Sequence, residues 1–381
     1  MKDITELRTE IDAVDTQILE LFRQRMKISE GVAAYKQAVG KPIYDPERER
    51  QKLVKIAKEA GSDLRTGAIM LFSTLFELSS AHQMKVMNKH TDLTDRVADA
   101  IANGPLRFPE YPSVACQGVA GAYSQIACTK LFRMPDISYF PSFEDVFDAI
   151  ENGLCEYGVL PVENSTAGIV NKIYDLLVQH NCYIVRSVRL KIDHCLLVKP
   201  GTRLEDIREI YSHEQAINQC AGFLKTLPGV KVTVKPNTAM AAKMVARSER
   251  NDVAALSSIS CAQLYGLECL KASVQDKGNN YTRFICISKD LEIFPGADRT
   301  SIMCVVHHRP GSLVKVLSRF SALGLNLQKL ESRPLPDSDF NFMMFMDFDA
   351  PMHSEELIQI LTELEGLCER FQYLGSYHEV I

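Results

Sequence analysis

Several common signatures are absent from this 381-residue sequence, and each absence excludes a class of protein. No stretch approaches the 18 apolar residues of a membrane-spanning helix, and the start, MKDITELRTE, lacks the apolar core of a signal peptide. The net charge of -5 gives no electrostatic reason to bind nucleic acid or an anionic membrane. We therefore expect a cytoplasmic protein that binds neither.

Metal and cofactor motifs are also missing. The 11 cysteines are odd in number and form no C-x-x-C pair, and the 9 histidines form no H-E-x-x-H. No G-x-G-x-x-G follows a predicted strand, which argues against a dinucleotide fold. The sequence therefore predicts reduced core cysteines, no metal site and no cofactor.

The composition and the pattern of apolar residues divide the chain into several domains. The hydrophobic fraction of 46% is enough for several cores, and the length exceeds that of one ordinary domain. We predict a helical domain at 1–90, a linker at 91–112, an α/β domain at 113–296 and an α+β domain at 299–377.

The first domain opens with one long helix. Apolar residues from Ile4 alternate at spacings of 3 and 4, Asp3 and Glu6 form a capping-box pattern, and Gly40 ends the helix. Further helices are predicted from Asp45-Pro46 and from about Thr66 to Lys89. A first helix roughly 50 Å long would outreach these two, so an intertwined dimer is the simplest way to bury it. A tetramer stays possible, because both end domains offer association surfaces.

Arg25 occupies a position on the apolar seam of the first helix, between Leu21 and Ile28. A buried guanidinium is costly unless an anion meets it. Lys36 should lie about 20° from Arg25 around the helix and roughly 16 Å along it, so both could grip a small dianion. The alternative is an ion pair with an acidic residue of a partner helix, which would fix the register of packing.

Residues 1 to about 90 resemble the all-helical chorismate mutase family. The match is carried by LRTEIDAVDTQILELFRQRMKISEGVAAYK, PIYDPERER and ELSSAHQ. The resemblance implies a site for chorismate with these roles: Arg8 from the other subunit, Arg25 and Arg48 on the carboxylates, Lys36 and Gln83 on the ether oxygen, Glu49 on the ring hydroxyl, and Asp45 and Ser79 completing the pocket.

In the second domain, short apolar strands alternate with helices, which predicts two parallel α/β lobes around a cleft. The motifs GVAGAYS, ENSTAG, SHEQAINQC, DHCLLV and NYTRF together resemble the prephenate dehydratase family and its two-lobed fold, similar to periplasmic binding proteins. The usual G-P-x-G-T-[FY]-S and SHPQA appear here as GVAGAYS and SHEQA. The resemblance implies that Thr282 orients the departing hydroxyl, that Arg283 binds a carboxylate, and that the remaining contacts come from Asn164, Ser165, Thr166, Gln215 and Phe284.

The last domain follows a strand, helix, strand, strand, helix, strand order, a ferredoxin-like plan. Its segments PGSLV and ESRPL are similar to the two effector loops of ACT domains in phenylalanine-regulated enzymes. The resemblance implies that L-phenylalanine binds at these residues: Gly311, Ser312, Leu313, Val314, Glu331, Ser332, Arg333 and Pro334. A glycine that only caps a helix is the alternative for Gly311.

Together the three resemblances indicate the bifunctional chorismate mutase/prephenate dehydratase family. The expected reactions convert chorismate into prephenate and prephenate into phenylpyruvate. A fusion with prephenate dehydrogenase would need the missing dinucleotide fold. A second alternative is a mutase joined to a domain that senses a metabolite without turnover.

Overall fold

The computed structural model describes residues 2–43, 45–87, 91–335 and 342–381. The predicted end of the third helix at Lys89 lies outside these residues. The described chain folds into two compact units. One contains Met1–Asp95, Val306–Gly324 and Ile358–Glu369, and the other contains Arg96–Val305, Leu325–Leu357 and Arg370–Ile381.

The helices of the first unit follow the predicted starts and stops closely. Asp3 and Glu6 form the predicted capping box, and Asp45 accepts a hydrogen bond from the backbone N–H of Arg48. The third helix begins five residues earlier than predicted, because Gly61 turns the chain at φ +72°. The helices are α1 (Ile4–Ala38), α2 (Pro46–Glu59), α3 (Gly61–Val86) and, from the C-terminal part, α12 (Ser312–Ala322) and most of α13 (Glu355–Leu367).

The predicted linker contains a helix, α4 (Asp92–Asn103). Its first turn is held by mutual hydrogen bonds between Thr91 and Thr94, and Val97 and Ala100 are buried. The proline-rich FPEYP segment that follows suggested a loop, but it begins only after this amphipathic helix has ended.

Two α/β sheets form most of the second unit. The first has the strand order β16-β5-β11-β3-β1-β2 with β4 on β3, and the second has the order β10-β6-β9-β7-β8. The first sheet is mixed, since β11 runs antiparallel to both β3 and β5. Its strands are β1 (Ser113–Gln117), β2 (Asp136–Phe140), β3 (Tyr157–Asn164), β4 (Gly168–Ile169), β5 (Tyr183–Lys191), β11 (Tyr281–Ser288) and β16 (Glu379–Val380).

The chain crosses from the first sheet to the second after β5 and returns before β11, so two short connections join two lobes. The second sheet consists of β6 (Cys195–Val198), β7 (Glu209–Ser212), β8 (Lys231–Val234), β9 (Val253–Ser257) and β10 (Glu268–Lys271). The helices of the lobes are α5 (Tyr123–Leu131), α6 (Phe143–Glu151), α7 (Asn171–Gln179), α8 (Glu214–Gln219), α9 (Ala221–Lys225), α10 (Thr238–Arg247) and α11 (Ile259–Tyr265), with a 3₁₀ turn at Leu204–Asp206.

A four-stranded antiparallel sheet completes the second unit, in the order β13-β14-β12-β15 that a ferredoxin-like plan requires. Buried residues of this sheet, including Met303, Phe345 and Tyr377, share one core with α6, α7 and the first sheet. The strands are β12 (Arg299–Val305), β13 (Leu327–Pro334), β14 (Phe342–Asp349) and β15 (Arg370–Tyr377).

The cysteines lie where the sequence predicted. Nine of the 11 side chains are buried, and Cys269 and Cys368 are half-buried. None of the helices among the described residues is long and apolar enough to span a membrane.

Candidate active sites

A cavity of about 240 Å³ lies between α1, α2 and α3. Seven of the eight residues expected there line it, and they come from all three helices. The eighth, Arg8, is exposed near the start of α1, away from this cavity. The seven are Arg25, Lys36, Asp45, Arg48, Glu49, Ser79 and Gln83.

Arg25 is half-buried and is held by neutral partners. Its Nη1 donates to the Leu75 carbonyl at 2.6 Å and to the Ser79 hydroxyl, and its Cζ lies 5.6 Å from the Phe76 ring centre. Burial lowers the pKa of Arg25. No ion pair joins Arg25 to an acidic side chain in the described part of the chain, so an internal ion pair does not explain this seam position.

Lys36 and Glu49 carry opposite charges in partly buried surroundings. Lys36 Nζ donates to the Ile43 carbonyl; burial lowers its pKa, against the attraction of Asp45 and Glu49. Burial is also the main cause that raises the pKa of Glu49. Both groups therefore have lost water that a polar ligand could replace.

Gln83 is buried, and its Oε1 has no hydrogen-bond partner among the described residues. Because Gln83 also lines the cavity, a polar group bound there is one way to satisfy this amide. Sequence reasoning missed several other wall residues: Ser29, Val32, Ile43, Lys52, Phe76 and Ser80. The helical spacing of Ser29, Val32 and Lys36 on one face of α1 was the available signal.

A second cavity, of about 520 Å³, lies where segments from both sheets of the second unit meet. Thr166 follows β3, Gln215 lies on α8, and Asn280 ends the connection that returns to β11. Of the predicted residues, Thr166 and Gln215 line this cleft directly. The wall also includes Ala167, His213, Glu214, Asn218, Gln219, Gln275, Asp276, Lys277 and Asn280.

Thr282 and Asn164 are brought together by strand register. They are direct neighbours across the antiparallel pair of β11 and β3, and Asn164 Nδ2 donates to Thr282 Oγ1 at 2.8 Å. Asn164 Oδ1 in turn accepts from the Thr166 hydroxyl at 2.7 Å. Because an amide N–H already occupies an acceptor position of Thr282, the hydroxyl proton of Thr282 can be directed elsewhere.

Gln219 extends this network into the second lobe, and sequence reasoning missed it. Its Nε2 donates to Thr166 Oγ1 at 2.9 Å, and its Oε1 accepts from Asn280 Nδ2 at 2.9 Å. His194 Nε2 lies 3.0 Å from the same Oε1, and burial lowers the pKa of His194. Gln215 and Gln219 stand four residues apart, a spacing that could have indicated a shared helix face.

Arg283, Phe284 and Ser165 do not line the cleft. Arg283 is buried and paired with Asp347 at 2.6 Å and Glu163 at 3.6 Å. Phe284 packs in the apolar core of the first sheet. Ser165 binds backbone groups, donating to the Asn279 carbonyl and accepting from the Tyr281 N–H, both at 2.9 Å. The alternation of side chains along β11 turns Arg283 to the face opposite Thr282 and Phe284.

The glycine-rich turn GVAGAYS packs against the second lobe. Gly121 has φ +88°, and a Cβ there would lie 2.8 Å from Cys261 Sγ. The side chains of Tyr265 and Ser258 donate to the carbonyls of Ala120 and Gly121. The turn therefore needs glycine at 121 in spite of the changed motif.

The predicted effector residues form two segments that belong to different units. Gly311 has φ +84° and precedes α12, so Ser312, Leu313 and Val314 form the first turn of that helix. Glu331, Ser332, Arg333 and Pro334 end β13, and Arg333 pairs with Asp175 at 2.8 Å.

One group of side chains among the described residues could hold a metal ion. Ligand atoms of Asp148, Glu151 and His180 lie within 4.8 Å of one another. His180 Nδ1 is already 3.1 Å from Glu151 Oε2, which satisfies both groups without an ion.

Comparisons with known proteins decide the family. The sequence matches chorismate mutase type II over residues 7–84, prephenate dehydratase over 114–292 and the ACT domain over 300–366. The bifunctional chorismate mutase/prephenate dehydratase of Enterobacter agglomerans is 32% identical over 379 residues, covering 97% of this chain and 95% of the relative. The chain belongs to the bifunctional chorismate mutase/prephenate dehydratase family.

Solved structures agree with the fold of the dehydratase and ACT regions. A protein described as GqqA, a novel type of quorum quenching acylase, is 33% identical with a TM-score of 0.64, covering 70% of this chain and 97% of its own. Prephenate dehydratase from Arthrobacter aurescens, solved with L-Phe, is 24% identical with a TM-score of 0.64, covering 70% and 89%. The predicted family, both enzyme activities and the three fold types are confirmed.

Proposed function

We propose that the cavity between α1, α2 and α3 converts chorismate into prephenate. The observation that carries this proposal is the charge of its wall. Four cationic side chains face two carboxylates there, and chorismate is a dianion of matching size and sign. The six charged residues are Arg25, Lys36, Arg48, Lys52, Asp45 and Glu49.

The rearrangement needs no nucleophile, because one ether C–O bond breaks as a C–C bond forms within the same molecule. Arg25 and Arg48 hold the carboxylates in the reactive conformer, and negative charge grows on the ether oxygen as its bond stretches. Lys36 and Gln83 donate to that oxygen, which stabilises the transition state more than the substrate. Glu49 accepts from the ring hydroxyl, while Asp45 and Ser79 complete the wall.

The cleft between the two sheets is the proposed site for prephenate. The substrate loses CO₂, its bonding electrons enter the ring, and the ring hydroxyl leaves as water after it gains a proton. Thr282, fixed by Asn164, orients that hydroxyl. Arg283 is already paired with Asp347 and Glu163. The cation in the cleft wall that binds a substrate carboxylate is therefore Lys277, assisted by Thr166 and Gln215.

The regulatory proposal concerns L-phenylalanine. We infer that it binds at the segments 311–314 and 331–334 and lowers dehydratase turnover by favouring a less active state. The family match to an ACT domain and the L-Phe in the Arthrobacter aurescens protein support this inference. A homodimer, or a tetramer if both end domains associate, and a cytoplasmic location complete the proposal.

A coupled assay that starts from chorismate tests the two sites together. We expect prephenate and then phenylpyruvate to form, and millimolar L-phenylalanine to slow the second step. Lys36→Ala should lower the mutase kcat by about 10²- to 10³-fold while the dehydratase step from prephenate is unchanged. Lys27→Ala, on the same helix and exposed, serves as the control.

Each outcome has a distinct meaning. Full mutase turnover in Lys36→Ala would contradict the assignment of the first cavity. Prephenate that binds without turnover would favour a metabolite-sensing domain in place of the second active site.

A further inference from the structure

Glu49 lies in the wall between two cavities of the first unit. On one side is the proposed chorismate cavity, and on the other a larger one, of about 880 Å³. The second cavity is bounded by α2, by α3 and by the segment that starts α12, including Arg309 and Lys315. Residues of the C-terminal part of the chain therefore line the same cavity as Glu49, whose carboxylate is proposed to bind the ring hydroxyl.

Helix α12 is fixed to α3 by charged groups around Glu77. Lys315 Nζ lies 3.8 Å from Glu77 Oε1, and Arg319 Nη2 donates to the Glu77 carbonyl at 3.0 Å. Arg319 is buried and lies 3.5 Å from Glu363 of α13. These contacts hold Lys315 in the wall of the cavity that Glu49 also lines, with a side chain only 30% exposed.

Several charges act on Glu49 from the surrounding helices. Burial raises its pKa most, Lys315 is the strongest charge that lowers it, and Glu77 raises it. Lys36 also lowers the pKa and Asp45 raises it. Other charged side chains line the two cavities: Arg25, Arg48 and Lys52 in the first, and Glu47, Arg50 and Arg309 in the second.

We propose that Lys315 is a positioning residue of the chorismate site, which keeps the Glu49 carboxylate ionised and oriented toward the ring hydroxyl of the substrate. Glu77 opposes this effect as a charge, while its backbone carbonyl, which accepts from Arg319, helps to anchor α12. The proposal rests on the role of Glu49 given under Proposed function. It makes the first turn of α12 part of the support of the N-terminal active site.

The test is the pH dependence of mutase kcat/KM in the full-length protein. Removing the charge in Lys315→Met raises the pKa of Glu49, so the acid limb of the profile moves to higher pH. We expect about threefold lower kcat/KM near pH 5 and little change near pH 8. Lys315→Arg should restore the profile, since it keeps the charge.

Glu77→Gln should shift the pKa of Glu49 in the opposite direction, because it removes an anion that raises this pKa. Its acid limb should move to lower pH, which loss of packing alone would not produce. Lys55→Met, on α2 and largely exposed, is the matched control and should not move the limb. Dehydratase turnover from prephenate, measured without L-phenylalanine, should equal that of the wild type in all of these variants.

Glu49→Gln separates the two levels of the inference. An acid limb that persists in Glu49→Gln contradicts the role of Glu49 and the role of Lys315 with it. A limb that disappears in Glu49→Gln but does not move in Lys315→Met overturns the role of Lys315 alone.

Discussion

Arg283 and Asp347 form a buried ion pair, with Nη2 2.6 Å from Oδ2, that joins the dehydratase strand β11 to β14 of the four-stranded sheet. Ser301 donates to the other carboxylate oxygen at 2.6 Å. Burial disfavours the charged form of Asp347, but Arg283, Ser301 and Lys329 outweigh it and hold its pKa below the usual range. The arginine of the NYTRF motif is thus a structural link in the second unit.

We predict that Asp347→Asn destabilises the protein. It leaves Arg283 buried with only the more distant Glu163, and breaking a buried pair costs about 3 to 5 kcal/mol. Urea unfolding followed by circular dichroism measures the loss. Asp290→Asn, at an exposed position, is the control and should change stability by less than about 0.5 kcal/mol.

The same pair predicts a pH dependence of stability. The pKa of Asp347 is lower in the folded state than in the unfolded state. The ionised carboxylate therefore contributes fully to stability above its unfolded-state pKa, and this contribution is lost as the pH falls through its folded-state pKa. Wild-type stability should therefore decline in acid more steeply than that of Asp347→Asn. Parallel acid profiles for the two proteins would contradict this account.

Thr282 predicts a selective loss of the second reaction. Thr282→Val keeps the shape but removes the hydroxyl, and we expect dehydratase kcat to fall by about 10²- to 10³-fold. Thr282→Ser should keep most of the turnover. Mutase activity measured on the same samples reports folding, and a Thr282→Val enzyme with near-normal dehydratase kcat would exclude the orienting role.

We predict that a side chain at Gly121 costs packing energy, and a substitution at Gly296 separates this cost from backbone strain. Gly121 and Gly296 have nearly equal φ values of +88° and +86°, but a Cβ at Gly296 meets nothing within 4 Å among the described atoms. Gly121→Ala should therefore cost about 1 to 3 kcal/mol more than Gly296→Ala, because only the former forces Cys261 to move. Equal losses in chemical unfolding would remove the steric explanation.

The exposed apolar stripe of α1 predicts association between chains. Ile11 and Ile18 are 58% and 55% exposed, and large apolar groups in a continuous row are costly in water. The double variant Ile11→Asp/Ile18→Asp should dissociate the oligomer in sedimentation velocity and lose mutase activity. Leu154→Asp, equally apolar and 70% exposed in the second unit, is the control. A variant that stays associated would locate the interface elsewhere.

Local sequence was sufficient for much of the architecture. The capping residues Asp3 and Asp45 fixed the starts of α1 and α2, and the change from helical to strand periodicity separated the mutase from the dehydratase. The positions of Arg25 and Lys36 in an apolar seam predicted that both would face one cavity, and both line it, because helical geometry fixes their relative directions within one element.

Other features depended on contacts between residues far apart in the chain. Asn164 meets Thr282 only because β3 and β11 pair in one register, and Gln219 joins their network only because the chain returns from the second sheet. The NYTRF motif reads the same whether Arg283 binds a substrate or another part of the protein. The position of Asp347 within hydrogen-bonding distance decided between these roles, since a charge bound by a buried carboxylate is no longer available to a ligand.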